Sequence, residues 1–146
     1  KRRANFLNPK PIEIRDVDPP DLFNPEPTSD KNFLWFKVDG TLDAKDQWVH
    51  HCFLAYASDV SLLGSGNRPH GVSAYSGDVM LASLDHAMWF HEKINFNNWH
   101  LYEMDSPFSG GARSLNRGKV FSQDGTLVAS VAQEGLMRPL KRKPNT

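Results

Sequence analysis

The stretch that most constrains this fold runs from Asp46 to Leu63, DQWVHHCFLAYASDVSLL, and is followed by Gly64. Val49, Cys52, Phe53, Tyr56, Val60 and Leu63 recur at the spacing of one helix face. Leu54, Ala55, Ala57 and Leu62 carry the apolar surface round most of the cylinder, so the pattern predicts a helix enclosed by the rest of the chain. Asp43 is the expected N-cap and Gly64 the expected C-terminal stop. Asp59 is the awkward residue. Its helical neighbours Ala55, Tyr56, Leu62 and Leu63 are apolar, which predicts a carboxylate whose charge is disfavoured by desolvation and which needs a partner or a chemical task. A helix-end Asp turned out to solvent is the other reading of the same position.

Composition narrows the class. A chain of 146 residues suits one domain, and 39% hydrophobic side chains supply an ordinary core. Lys and Arg number 17, as do Asp and Glu, so no net field draws nucleic acid or an anionic membrane to the surface. The single Cys52 excludes an internal disulfide, fits a reducing compartment and reads as a small core residue. No apolar run approaches the roughly 20 residues of a membrane span, and no signal-peptide pattern opens the sequence. The expectation is a soluble, intracellular protein. An opening Lys1-Arg2-Arg3 without methionine reads as the start of a piece of something longer.

Three segments follow from this pass. Residues 1–30 hold Pro9, Pro11, Pro19, Pro20, Pro25 and Pro27, which makes them an arm or linker, with Ile12-Glu13-Ile14 a possible edge strand. Residues 31–138 form the folded domain, and 139–146 a basic tail. Within the domain, Phe33–Val38 predicts a strand closing on an Asp39-Gly40 turn. Gly64–Gly71 is rich in breakers and reads as loop. Val79–Phe90, apolar on both faces, predicts one strand buried between a helix and another layer. Trp99–Met104 is a further strand, and Lys119–Ser122 and Leu127–Met137 form a hairpin through Gln123-Asp124-Gly125-Thr126. One helix with about five antiparallel strands makes an α+β domain whose sheet curls round the helix.

Two more polar residues fall in apolar surroundings. Period two in the last strand puts Gln133 on the face of Leu127, Ala129, Val131 and Met137, and Ser83 interrupts the Val79–Phe90 run. Each also fits a purely structural role, Gln133 bonded to backbone and Ser83 packed as a small residue. Rival chemistries fail on spacing. His86 and His91 are five apart on a strand, and His50 and His51 diverge on a helix, so no local metal-ligand pair exists. Gly71-Val72-Ser73-Ala74-Tyr75 lacks the closing glycine of a hydrolase elbow. Arg113 and Val120 break a phosphate-binding loop around Gly118-Lys119. The tail cations Arg138, Lys141, Arg142 and Lys143 read as a solvated end, with a phosphorylated ligand as the alternative.

The strings AYASD (55–59), RPHG (68–71), SLDHAMWFH (83–91), LYEMDSP (101–107) and QDGTLVASVAQEG (123–135) resemble the C-terminal half of the acyl-CoA thioesterase II family. The resemblance runs from about Pro11 to Arg138. It implies a hot-dog fold, a curved antiparallel sheet wrapped round one central helix, and hydrolysis of fatty acyl-CoA to free fatty acid and coenzyme A. It implies that Asp59, Ser83 and Gln133 hold the attacking water, with no metal and no cofactor. It implies a second hot-dog module as partner, either an N-terminal half or another copy, and a peroxisomal address, with the cytoplasm as alternative. Chemically, Asp59 would serve as general base, and the leaving thiolate, whose parent thiol has a pKa near roughly 8.5, asks less of a general acid than an amide would. Two other readings stay open: a non-catalytic half that works only when paired, and a hot-dog enoyl-CoA hydratase. The hydratase pattern wants Asn and Pro soon after the Asp, where this chain has Val60-Ser61-Leu62.

Overall fold

Alternation of large apolar and polar side chains builds the sheet. Asn32–Val38 (β2) buries Asn32, Leu34, Phe36 and Val38 on one face and leaves Phe33, Trp35 and Lys37 half-buried on the other. The computed structural model of the chain describes residues 10–43 and 45–140. The opening Lys1-Arg2-Arg3 and the tail cations Lys141, Arg142 and Lys143 lie outside them. The other strands are Ile12–Asp16 (β1), Val79–Ser83 (β3), Ala87–Phe90 (β4), His100–Gly110 (β5), Arg113–Ser122 (β6) and Leu127–Pro139 (β7). They form one antiparallel sheet in the order β1-β2-β5-β6-β7-β3, with β4 also on β7, so the described residues hold seven strands where the sequence suggests about five.

The Asp124-Gly125 hairpin is present as expected. Gly125 takes the left-handed backbone such a turn requires (φ 87°), and Asp124 Oδ1 accepts from Thr126 N–H at 3.1 Å. The β5–β6 turn at Gly111-Ala112 is a second hairpin that the Trp99–Met104 reading stops short of. The proline-rich arm contributes β1, whose Ile12–Asp16 register against Val38–Leu34 makes it one edge of the sheet.

The central helix (α1) spans Gln47–Asp59, four residues shorter at its end than the apolar pattern suggests. Its cap is Asp46, whose carboxylate accepts from Val49 N–H, and not Asp43. It is also less enclosed than predicted. His50, Leu54, Ala57 and Ser58 are buried, whereas Trp48, Cys52 and Tyr56 are exposed, which overturns Cys52 as a core residue. The helix is amphipathic in practice because this chain covers only one of its sides. Gln47 docks its start through paired hydrogen bonds to the Ile94 backbone. His50 Nδ1 accepts from Phe96 N–H, so Nε2 carries the proton and donates to the Asp43 carbonyl.

After α1 the chain does not loop freely. Gly64–Asn67 makes one helical turn (α2) and Arg68–His70 a 3-10 turn, both in the segment read as loop. The sheet facing them is small and polar. Gly66 N–H donates to Asn116 Oδ1 at 3.1 Å, and a Cβ on Gly66 would sit 2.7 Å from Ser114. Gly66 is therefore required for this close approach.

Val79–Phe90 is the largest departure. It is two short strands on the outer edge of β7, mostly exposed, with Met80, Leu84, Trp89 and Phe90 open to solvent. Its apolar faces suit a buried strand, but no further strand among the described residues lies beside it. The core sits between α1 and the concave sheet face: Leu34, Phe36, Leu54, Phe96, Tyr102, Met104 and Val120. Gly118 belongs to that packing, because a Cβ there would run into the buried Tyr102 ring. Gly118→Ala should cost about 1–3 kcal/mol, as overpacking does, and a urea midpoint unchanged from the parent would contradict this.

Candidate active site

Three elements bring the sequence-selected polar residues together. Asp59 is the last residue of α1, Ser83 the last of β3, and Gln133 lies mid-way along β7. Gln133 Nε2 donates to Asp59 Oδ1 at 2.6 Å, and Ser83 Oγ donates to the same oxygen at 3.3 Å. A carboxylate only accepts, so the bond fixes which end of the Gln133 amide faces it. Gln133 is 1% exposed, and its side-chain Oε1 is buried with no hydrogen-bond partner among the described residues. Oδ2 of Asp59 receives no protein donor among those residues.

Backbone irregularity creates this meeting point. Ser83 pairs with Gly135 and Ala87 with Ala132, so Leu84, Asp85 and His86 face only Gln133 and Glu134, a bulge of one residue. Asp85 repairs the ladder by accepting from Glu134 N–H at 2.8 Å. The bulge separates β3 from β4 and turns Ser83 and His86 toward the end of α1. Asn116, reaching both Gly66 N–H and the Gln133 carbonyl, ties the segment after the helix to β7 beneath the site.

One expectation about Asp59 is corrected. Its side chain is 55% exposed, not enclosed by the apolar neighbours that helical periodicity assigns to it. The helix ends at Asp59, so Leu62 and Leu63 do not flank it as the next turn would. Ser83 is likewise exposed rather than packed into a buried strand.

A further layer escapes the sequence reading. Tyr102 donates to the Ser58 carbonyl at 2.9 Å and pins the helix end. Burial pushes its phenol far above the ordinary value, and the charge of Asp59 adds to the rise, so it stays a donor. Ser58 Oγ lies 2.9 Å from His86 Nε2, and His86 Nδ1 faces Asp59 Oδ1 at 4.0 Å. Spacing alone tests His86 only as a metal ligand; its place three residues after Ser83 is the signal that could have found it. Among the described residues no group of three or more His, Cys, Asp or Glu could hold a metal, and no helix is long and apolar enough to cross a membrane.

Residues 8–136 match the family model described as acyl-CoA thioesterase. The chain belongs to the acyl-CoA thioesterase family. It is 41% identical over 128 residues to the Mus musculus protein named acyl-coenzyme A thioesterase 8, covering 88% of this chain and 39% of that one. A Saccharomyces cerevisiae relative named peroxisomal acyl-coenzyme A thioester hydrolase 1 is 35% identical over 91 residues, 62% of this chain and 26% of that one. The solved acyl-CoA thioesterase II TesB2 of Mycobacterium marinum shares 42% identity at a TM-score of 0.75, over 90% of this chain and 50% of that chain. A protein described as having the hot dog fold, from Alicyclobacillus acidocaldarius, superposes at 0.64 with 17% identity, over 90% of this chain and 47% of the other. The fold is thus a hot-dog, one helix against a curled antiparallel sheet, and the chain spans about half or less of the length of these relatives.

Proposed function

We propose that this chain supplies the catalytic half-site of a fatty acyl-CoA thioesterase, cleaving the thioester to free fatty acid and coenzyme A. The observation that carries the reading is the convergence of Gln133 Nε2 and Ser83 Oγ on one oxygen of Asp59. Two donors from different strands aim the carboxylate and leave Oδ2 for a water. Asp59 removes a proton as the water attacks the carbonyl carbon, the tetrahedral intermediate collapses, and the C–S bond breaks. In this geometry Ser83 and Gln133 orient the base itself, a refinement of the idea that they hold the water directly. The orphaned side-chain Oε1 of Gln133 supports a site kept for chemistry, since an unmet buried acceptor costs free energy that packing alone gives no reason to bear. Release of free thiol from purified chain and acyl-CoA, followed with a thiol-reactive dye, tests the activity.

The share of the relatives' length that the chain covers, together with its exposed edge, favours a second module in the working enzyme. Met80, Leu84, Trp89 and Phe90 lie along the β3–β4 edge, and Asp59 is open beside them. An unmated apolar edge is a pairing surface, so a second hot-dog module, another copy or an N-terminal half, would cover it and enclose the site. The non-catalytic reading then reduces to a chain that is silent only while unpaired. Light scattering over a dilution series should show self-association; a monomer at every concentration would exclude pairing between copies. The yeast relative's name and the DSPFSGGAR stretch, 105–113, support a peroxisomal address. The hydratase reading gains no support, since Val60-Ser61-Leu62 follows Asp59 where that pattern wants Asn and Pro.

A further inference from the structure

We propose that His86 carries the proton from Asp59 to the departing thiolate, acting as the acid of the second half of the reaction. This rests on the reading of Asp59 as the base.

The geometry assigns both ring nitrogens. Ser58 Oγ has a single proton and bonds the Ala55 carbonyl at 2.9 Å, the usual back-bond of a helical serine, with the Met88 sulfur a weaker acceptor at 3.8 Å. Its oxygen therefore accepts from His86 Nε2–H at 2.9 Å. That hydrogen bond leaves the lone pair on Nδ1, the nitrogen that faces Asp59 Oδ1 at 4.0 Å. Such a span is too long for a direct hydrogen bond and within reach of one bridging water. The imidazole side chain is only 25% exposed, and the bulge at Leu84–His86 keeps it beside the carboxylate. The groups bonded around it are Ser58 from α1, whose carbonyl accepts from Tyr102 of β5, and Met88 from β4. Asp85 and Glu134 are the acidic residues of the bulge and of the strand opposite, and Asp59 is the carboxylate that Nδ1 itself faces.

The proton balance closes on these residues. Water gives its oxygen to the acyl carbon and one proton to Asp59. The proton taken up at Oδ2 leaves the carboxyl group through a water that reaches His86 Nδ1, giving an imidazolium beside a restored carboxylate. As the C–S bond breaks, its electron pair stays on sulfur and Nδ1–H protonates it. Acid, thiol, neutral imidazole and carboxylate remain, and no other reagent is consumed. An imidazole is suited to this because one ring nitrogen can stay bonded as a donor while the other takes up and gives back a proton.

The discriminating substitution is His86→Gln, whose amide can still donate to Ser58 but offers no titratable nitrogen at the Nδ1 position. It is assayed alongside Asp59→Asn and the parent, on the chain alone or with its complementary module, with an acyl-CoA and with an acyl thioester of an aryl thiol, whose thiolate needs no acid. Relay predicts a loss of kcat of ~10²-fold on acyl-CoA, the low end of the range for a positioned acid because a thiolate already leaves fairly well. The loss on the aryl thioester should be only a few-fold. Equal loss on both substrates, or none on either, overturns the relay and leaves His86 structural or idle. Full turnover by Asp59→Asn, or no turnover by the parent in any pairing, overturns the base reading and the relay with it. An inactive Asp59→Asn beside a His86→Gln that treats both substrates alike sinks the relay alone.

Discussion

Asp59→Asn should lower acyl-CoA turnover by roughly 10²–10⁴-fold while leaving the thermal midpoint close to that of the parent. The amide keeps the volume and can turn its oxygen toward Gln133 Nε2 and Ser83 Oγ, so both donors remain satisfied. What it loses is the proton acceptor. The carboxylate is more than half exposed, so no large gain in stability is expected from removing its charge, as an enclosed Asp would have led one to expect. Ser83→Ala and Gln133→Ala each delete one donor to Oδ1. Each should cost less kcat than the Asp59 change, and the two losses should not add, because both act through the same oxygen. Gln133→Ala should also lower stability, since it truncates a buried side chain and frees space under the site. Measurement of kcat with thermal midpoints for the single variants and the Ser83/Gln133 double variant decides the matter. Near-normal turnover in Asp59→Asn would end the assignment of the base.

Phe36→Ala should destabilise the fold by about 3–5 kcal/mol, more than either Gly118→Ala or Gln133→Ala. Phe36 is fully buried at the centre of β2, with its ring 5.4 Å from that of Phe96 and 5.3 Å from that of Tyr102. The loss combines the transfer free energy of the ring, the cavity it leaves, and two favourable aromatic contacts. Against a total stability of about 5–15 kcal/mol for a domain of this kind, it removes a large share of the margin. The consequence reaches the site, because the same Tyr102 holds the Ser58 carbonyl at the end of α1. Activity should therefore fade at lower temperature than in the parent. Trp48→Ala is the control: that ring is 74% exposed, and its removal should move stability by no more than about 0.5 kcal/mol. Equal urea midpoints for the two variants would refute this placement of the core.

The hairpin at Asp124-Gly125, the strand at 32–38 and the existence of a central helix are all legible from residue order. Each depends on local chemistry: a left-handed turn residue, an alternating face, a helical period. Gln133 on the buried face of β7 is legible for the same reason, and the family motifs point to Asp59 and Ser83. What residue order does not determine is which apolar faces are covered. Periodicity reports the face a side chain takes within its own element; burial depends on a second element lying against that face. Cys52 and Tyr56 share the helical period of the core yet are exposed, because no described strand lies over that side of α1. Met80, Trp89 and Phe90 read as a buried strand and form an open edge. The helix end is decided in the same way. Val60, Leu62 and Leu63 continue the apolar pattern, but the chain turns so that Gly66 can approach Ser114 and Asn116, and Leu62 finds burial through that turn instead of through another helical one. Tertiary packing thereby leaves Asp59 at a helix terminus, open on one side and within reach of His86, a position that no local pattern could specify.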